Sequence, residues 1–201
     1  MKKMNYVVVA TQNQHKLKEI NKILRDFPIE LKGLNDIGLG DLEVVEDGLT
    51  FEENSMKKAV EVMKASGHIA VADDSGLEVE ILDNQPGVFS ARFSGRNATD
   101  KKNNEKLLQL LGDIPMQDRK ARFVSVISVA FPDGRRFHVR GEIRGFIGFK
   151  ECGDNGFGYD PLFIVPQYNK SFGEICDDIK NKISHRAVAL EKMKEELIKY
   201  L

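Results

Sequence analysis

Cysteine is scarce in this 201-residue chain, with only Cys152 and Cys176. Two thiols make no disulfide framework, and incidental thiols in a reducing compartment are the expected state. Long apolar runs are missing as well. No stretch approaches the roughly 20 residues of a membrane span, so no membrane association is expected. The start, Met1-Lys2-Lys3, passes into a short Val-rich run with no small-residue cleavage pattern behind it. No signal peptide is therefore expected, and a cytoplasmic protein is. The formal net charge is only -1, which argues against broad binding to polymeric nucleic acid or anionic membrane, although a balanced total can hide a local basic cleft. There is no internal repeat, no low-complexity tract and no linker long enough to separate two domains. No Gly-x-x-x-x-Gly-Lys-Ser/Thr occurs, so the chain is not a P-loop protein.

What remains suits a soluble globular chain: 41% hydrophobic and 30% charged residues, in a length that serves one large domain or two small lobes sharing a core. Tyr6-Val7-Val8-Val9-Ala10 is an unbroken β-branched run, as expected of a strand buried on both faces. A polar turn, Thr11-Gln12-Asn13, leads into a helix with Leu17, Ile20 and Leu24 on one face. Thr50 and Glu53 form a capping box for a helix running to about Ser66, before Gly67. Ile69 to Ala72 reads as a short buried strand ending in the turn Asp73-Asp74-Ser75-Gly76. Leu77 to Ile81 alternates as a further strand with one wet face. A helix follows over Thr99–Leu111, stopped by Gly112. Phe123–Phe131 and Arg135–Gly148 pair as a hairpin across Pro132-Asp133-Gly134. Gly153–Pro161 is a Gly-rich loop. Ser184 caps a last helix with Ala187, Leu190, the stem of Lys194, Leu197 and Leu201 on its core stripe. The sum is an α/β fold with a mixed β-sheet and flanking helices.

Several residues are candidates for chemistry. Thr11, Asn13 and Lys16 lie where a helix N-terminus attracts anions, and Lys16 adds a full charge one turn in. The same three residues also make an ordinary N-cap followed by a solvated lysine. Asp73 and Asp74 emerge at the C-terminal end of a buried strand, the usual place for ligands in α/β sheets. Adjacent side chains cannot share a face, so one acid can bind a metal or activate water while the other serves the turn. Asp-Ser-Gly is equally a plain turn. Mg²⁺ takes one or two carboxylates plus substrate phosphates, and Glu46 with Asp74 would make such a pair. Phe157-Gly158-Tyr159-Asp160 joins a stacking surface, close approach and an acceptor for a ring N–H. It also reads as a core-anchored turn. His185 and Arg186 sit at a helix start, against the local dipole, where a ligand presenting acceptors would explain them.

Six motifs then occur in order: Thr11-x-Asn13-x-x-Lys16; Gly48-x-Thr50-Phe51-x-Glu53-Asn54-Ser55; Ala72-Asp73-Asp74-Ser75-Gly76; Pro86-Gly87-x-x-Ser90-Ala91-Arg92; Gly156-Phe157-Gly158-Tyr159-Asp160-Pro161; and Ser184-His185-Arg186. From about Tyr6 to the last helix the chain closely resembles the inosine triphosphate pyrophosphatase family, house-cleaning enzymes for deaminated purine nucleotides. The resemblance implies a single domain over residues 1–201, two lobes around a deep cleft, and a homodimer. It implies Asp74 as general base or metal ligand and Glu46 as the second carboxylate for Mg²⁺. It implies that Thr11, Asn13, Lys16 and Lys58 hold phosphates and that Ser75 touches substrate. Phe157, Gly158, Tyr159, Asp160, Lys180, His185 and Arg186 would surround the nucleoside of a purine triphosphate. Two departures stand out. Gln12 replaces a common Gly, and Gly153-Asp154-Asn155-Gly156 replaces a common Gly-Gly, with Asn155 tolerant of left-handed backbone.

The expected reaction is attack of water on the α-phosphorus with departure of pyrophosphate. Asp73 or Asp74 would deprotonate the water, the two acids being too closely coupled for a single assignment. Donors on His185 and Arg186 would suit the 6-oxygen of inosine and xanthosine and go unpaired against adenine. That logic leaves the rejection of guanosine to pocket shape. Two other readings stay open: a pyrophosphatase for modified pyrimidine nucleotides, and a nucleotide sensor without catalysis.

Overall fold

A computed structural model describes residues 6–200. The Met1-Lys2-Lys3 start and Leu201 lie outside the described residues. The strands are β1 (Tyr6–Val9), β2 (Glu30–Gly33), β3 (Ala70–Val79), β4 (Gln85–Pro86), β5 (Lys120–Ala130), β6 (Arg136–Ile147), β7 (Phe163–Val165) and β8 (Lys170–Ser171). The helices are α1 (Gln14–Ile23), α2 (Phe51–Ser66), α3 (Asp100–Leu111), α4 (Asp177–Ile183) and α5 (His185–Leu197). Strand order is β2-β1-β3-β5-β6-β7-β8, with β4 on β3. Pairing is parallel for β1 with β2 and with β3, and antiparallel for β6 with β7 and β7 with β8, so the sheet is mixed. Among the described residues, no helix is long and apolar enough to cross a membrane.

The chain divides into two compact units: Met1–Asp74 with Ser125–Gly141 and Arg186–Leu201, and Ser75–Val124 with Glu142–His185. In the first unit, β1 is buried as its β-branched run requires. Its side chains alternate between two cores, as the period of two in a strand dictates. Val7 and Val9 pack with Ile20 and Leu24 of the α1 segment and with Leu190, Met193 and Leu197 of α5. Val8 faces the other way, with Ala59 and Val62 of α2. β3 repeats the alternation, with Val71 on the first side and Ala70 and Ala72 on the second. In the second unit, Leu77, Val79, Leu107, Leu111, Phe123, Phe163 and Phe172 form one core.

Helix ends follow the sequence closely. Asn13 caps α1, accepting from the N–H groups of His15 and Lys16. Thr50 and Glu53 complete the capping box of α2, and Gly67 closes that helix at φ +69°. Thr99 turns out to be the N-cap of α3, which begins at Asp100. On α5 the stripe Ala187, Leu190 and Leu197 is buried, while Lys194 is only partly covered and Met193 completes the core face.

The acidic segment differs from expectation. Asp73-Asp74-Ser75-Gly76 is no turn: β3 runs unbroken from Ala70 to Val79. Turn-prone residues are held extended here by partners across the sheet, and Ser125 of β5 donates to Asp73 Oδ1 at 2.6 Å. The chain turns only after Val79, where Glu80–Leu82 forms a 3₁₀ turn and Asp83 and Asn84 take φ of +52° and +62°. Ile81 is therefore exposed rather than a strand residue. β2, β7, β8 and α4 carry no expectation from sequence. Each is short, and Glu30-Leu31-Lys32-Gly33 is too polar to announce a strand.

Candidate active site

Alternation along β3 separates the two adjacent acids. Asp73 continues the face of Val71 and Asp74 the face of Ala72. On the Val71 face, Lys16 of α1 reaches Asp73 Oδ2 at 2.8 Å. Arg186, the second residue of α5, reaches the same oxygen at 3.1 Å. Ser125 donates to the other oxygen. Arg186 also pairs with Glu19 of α1. The result is a chain of alternating charge, Lys16, Asp73, Arg186, Glu19, with its two central members buried and its ends partly so.

The electrostatics follow from that chain. Burial opposes ionisation of Asp73, but the charges of Arg186 and Lys16, with hydrogen bonds from Lys16 and Ser125, outweigh it and hold the carboxyl well below its usual range. Burial lowers the pKa of Lys16, and Asp73 counters part of that. Burial also opposes the charge on Arg186, while Asp73 and Glu19 raise its pKa overall. A cation against the helix dipole at the start of α5 thus has its reason in two protein carboxylates.

Asp74 sits in a different setting. Lys58 of α2 is buried and donates to the backbone oxygen of Asp73 at 2.9 Å and to Glu46 Oε1 at 3.0 Å. Asp74 Oδ1 lies 3.7 Å from the same ammonium. Burial raises the Asp74 pKa; Lys58 and Lys16 offset part of the rise, and Glu46 and Asp73 add to it. Glu46, on the segment before α2, thus converges with Asp74 on one cationic centre. Among the described residues there is no cluster of three or more metal-ligating side chains. Two hard carboxylates whose like charges repel each other nevertheless fit Mg²⁺, which takes one or two protein carboxylates and completes its shell with phosphate and water.

The Thr11–Lys16 loop is built by local bonds. Thr11 Oγ1 accepts from the N–H of Asn13, and Asn13 Oδ1 caps α1, leaving its amide nitrogen as the donor. The Gln12 departure also has a role. Its Nε2 donates to the carbonyls of Gly40 and Leu42, tying the loop to a distant segment. A cavity of about 450 Å³ adjoins this loop, lined by Thr11, Gln12, Asn35 and Asp41 among others.

In the second unit, the Phe157–Asp160 loop is fixed from several directions. Asp160, 3% exposed, accepts from the N–H of Phe157 at 2.8 Å and from Lys180 Nζ at 2.7 Å. Lys180 also lies over the Phe157 ring, 5.0 Å from its centroid. The Tyr159 hydroxyl donates to the carbonyl of Ser90, and burial pushes its phenol pKa up. Gly156 is compulsory: at φ +79° a Cβ would stand 2.1 Å from Asp160 Oδ2. Left-handed backbone falls on Gly153 and Gly156, so Asn155 has no need of the tolerance the sequence suggested. His185 is buried with its ring stacked on Phe123, centroids 4.8 Å apart. Ser75 lies on β3, and Ser184 stands between α4 and α5.

The structure therefore gathers Lys16, Lys58, Glu46, Asp73, Asp74 and Arg186 in one unit, and Phe157, Asp160 and Lys180 in the other. Sequence reasoning missed Glu19 and Ser125, although both had signals. Glu19 follows Lys16 by three positions and shares its helix face. Ser125 is fully buried between Val124 and Val126, where a hydroxyl needs a partner.

Known proteins resemble this chain over nearly its whole length. The Ham1 family profile matches residues 7–196. A dITP/XTP pyrophosphatase of Clostridium perfringens is 48% identical over 200 residues, covering 96% of this chain and 98% of that protein. A HAM1 protein structure from Coxiella burnetii superposes with a TM-score of 0.88 at 38% identity, over 98% of this chain and 100% of that one. The Staphylococcus aureus Ham1 structure gives 0.86 at 39% identity, with the same coverage. With a profile and relatives that span nearly its whole length, this chain belongs to the Ham1 family.

Proposed function

We propose that this chain hydrolyses noncanonical purine nucleoside triphosphates, dITP, ITP and XTP, to the monophosphate and pyrophosphate. One observation carries the mechanism: extended β3 sends two adjacent buried carboxylates to opposite faces, where the charges of Arg186 and Lys16 hold the pKa of one down and burial raises that of the other. Such a split marks a division between a permanent anion and a group able to take a proton. Asp73 is the permanent anion. Its oxygens are occupied by Lys16, Arg186 and Ser125, and it holds Lys16 in place. Asp74 is the base; with no metal bound, burial makes its carboxylate more basic than an ordinary aspartate. The bond formed joins the water oxygen to the α-phosphorus, the bond broken links the α-phosphorus to its bridging oxygen, and the water proton passes to Asp74. Lys16 and Lys58 neutralise charge growing on pyrophosphate, the main demand of phosphoryl transfer. Thr11 and Asn13 orient the phosphates from the start of α1, and Ser75 touches the substrate. Mg²⁺ held by Glu46 and Asp74 would supply charge neutralisation at the phosphate oxygens.

For the nucleoside, the proposal assigns Phe157 as the stacking face and Gly158, Tyr159, Asp160, Lys180 and His185 as its polar surroundings. Arg186 is placed behind Asp73 as a support for the acid rather than as a reader of the base. The relatives' names as dITP/XTP pyrophosphatases support the substrate class. Pyrophosphate release from dITP is the test. The expected result is turnover with Mg²⁺, loss with chelator, and no inorganic phosphate as first product. Release of orthophosphate, or equal rates on dITP and dATP, would overturn the reading.

A further inference from the structure

The Phe157–Asp160 loop contains a weak point that is held from outside. Gly158 adopts φ +62°, and among the described residues no atom beyond its chain neighbours stands within 4 Å of where its Cβ would be. Space therefore does not hold it, and a glycine peptide is the easiest in the chain to rotate. Two residues of α3 grip it instead. Asp100 Oδ2 accepts from the Gly158 N–H at 2.7 Å. Asn104 Nδ2 donates to the Gly158 carbonyl at 3.1 Å. Asp100 and Asn104 are four residues apart, so they project from one face of α3. Both polar groups of a single glycine are thus bonded to a single rigid helix. The Asn104 amide is itself oriented by Glu151, whose Oε1 accepts from the same nitrogen at 2.6 Å. Flipping that amide would set oxygen against two acceptors, so its orientation is fixed. Asn104 is 3% exposed, and its buried Oδ1 has no hydrogen-bond partner among the described residues. A buried amide is retained at that cost where its other end has a task.

We infer that Asp100 and Asn104 are positioning residues for base discrimination: by clamping the Gly158 peptide they fix the contour of the Phe157–Asp160 loop. This rests on the proposed nucleotide pyrophosphatase reading. It addresses what donor and acceptor logic left open, since hypoxanthine and guanine share the 6-oxygen and differ by a 2-amino group. Xanthine carries an oxygen at that same position, so size alone cannot reject guanine; telling the amino group from hydrogen or oxygen requires a loop whose contour and polar groups do not yield. A loop with left-handed glycines yields unless it is held.

The test compares kcat and KM for dITP and dGTP in wild type, Asp100→Ala, Asp100→Asn and Asn104→Ala. Asp100 is exposed, so its variants retain the fold. Each alanine variant loses one clamp bond, and the dITP-to-dGTP ratio of kcat/KM is expected to fall on the order of tenfold. The change is expected in KM, with kcat for dITP within about twofold of wild type. Asp100→Asn keeps an acceptor oxygen for the Gly158 N–H and is expected to restore most of the ratio. An unchanged ratio in both alanine variants overturns the clamp. So does an equal fall in kcat for both substrates, which marks general damage. Failure of the underlying reading looks different: wild type itself would then release no pyrophosphate from dITP.

Discussion

Exchanging each of the adjacent acids for its amide separates their roles. Asp73→Asn keeps shape and the Ser125 hydrogen bond but removes the charge between two cations. Those cations sit 2.8 and 3.1 Å from one oxygen. At an effective dielectric near 20, each pair carries a gross attraction of roughly 5–6 kcal/mol, most of it offset by the desolvation of buried ions. Breaking one partner of such a group costs about 3–5 kcal/mol, because Lys16 and Arg186 are left facing each other with Glu19 as the remaining counter-charge. For a chain of this length that corresponds to about a 10 °C fall in melting temperature. Asp74→Asn should do the reverse. It neutralises a carboxyl that burial already disfavours as an anion, so stability should hold or rise slightly while kcat falls by orders of magnitude. Thermal unfolding by circular dichroism, beside pyrophosphate release, reads both quantities. A stable Asp73→Asn protein would refute the counter-ion role, and an active Asp74→Asn enzyme would refute the base.

Two further outcomes follow from the same geometry. Asp73 has a depressed folded pKa, so its stabilising contribution is fully present above the unfolded value of about 3.9 and is lost as pH falls below that toward the folded value. Denaturant midpoints taken in chelator from neutral to acid pH should show a loss of stability below about pH 4, and Asp73→Asn should remove that component; an identical acid profile in the variant would contradict the assignment. Gly156→Ala should destabilise the second unit, since left-handed backbone alone costs about 1–2 kcal/mol and its Cβ would displace the Asp160 carboxylate from Phe157 and Lys180. Hydrogen exchange at the Phe157 amide should speed up in that variant, and unchanged protection would show that the loop does not depend on Asp160.

The sequence displayed what is local and periodic. β-branched residues at Val7 to Val9 announced a buried strand, Thr50 and Glu53 announced a helix start, and Asp73, Asp74 and Lys16 stood out as charges beside apolar runs. It could not display how charges are shared over long separations. Arg186 and Glu19 lie 167 positions apart, Ser125 and Asp73 are separated by 52, and Gly158 and Asp100 by 58. Hydrophobic periodicity says which face of an element is covered, and nothing about which polar group meets which. The acidic segment was misread as a turn for the same reason. Asp, Ser and Gly favour turns by their own local hydrogen bonding, and it is the place of β3 between β1 and β5 in the sheet that keeps this segment extended. That error matters for the chemistry. In a turn, one of the two carboxylates would be spent on the turn's own hydrogen bonds. A strand forces them to opposite faces, one toward Lys16 and Arg186 and the other toward Lys58 and Glu46. The extended backbone at Asp73-Asp74 is therefore what makes one acid an anchor and leaves the other for the reaction.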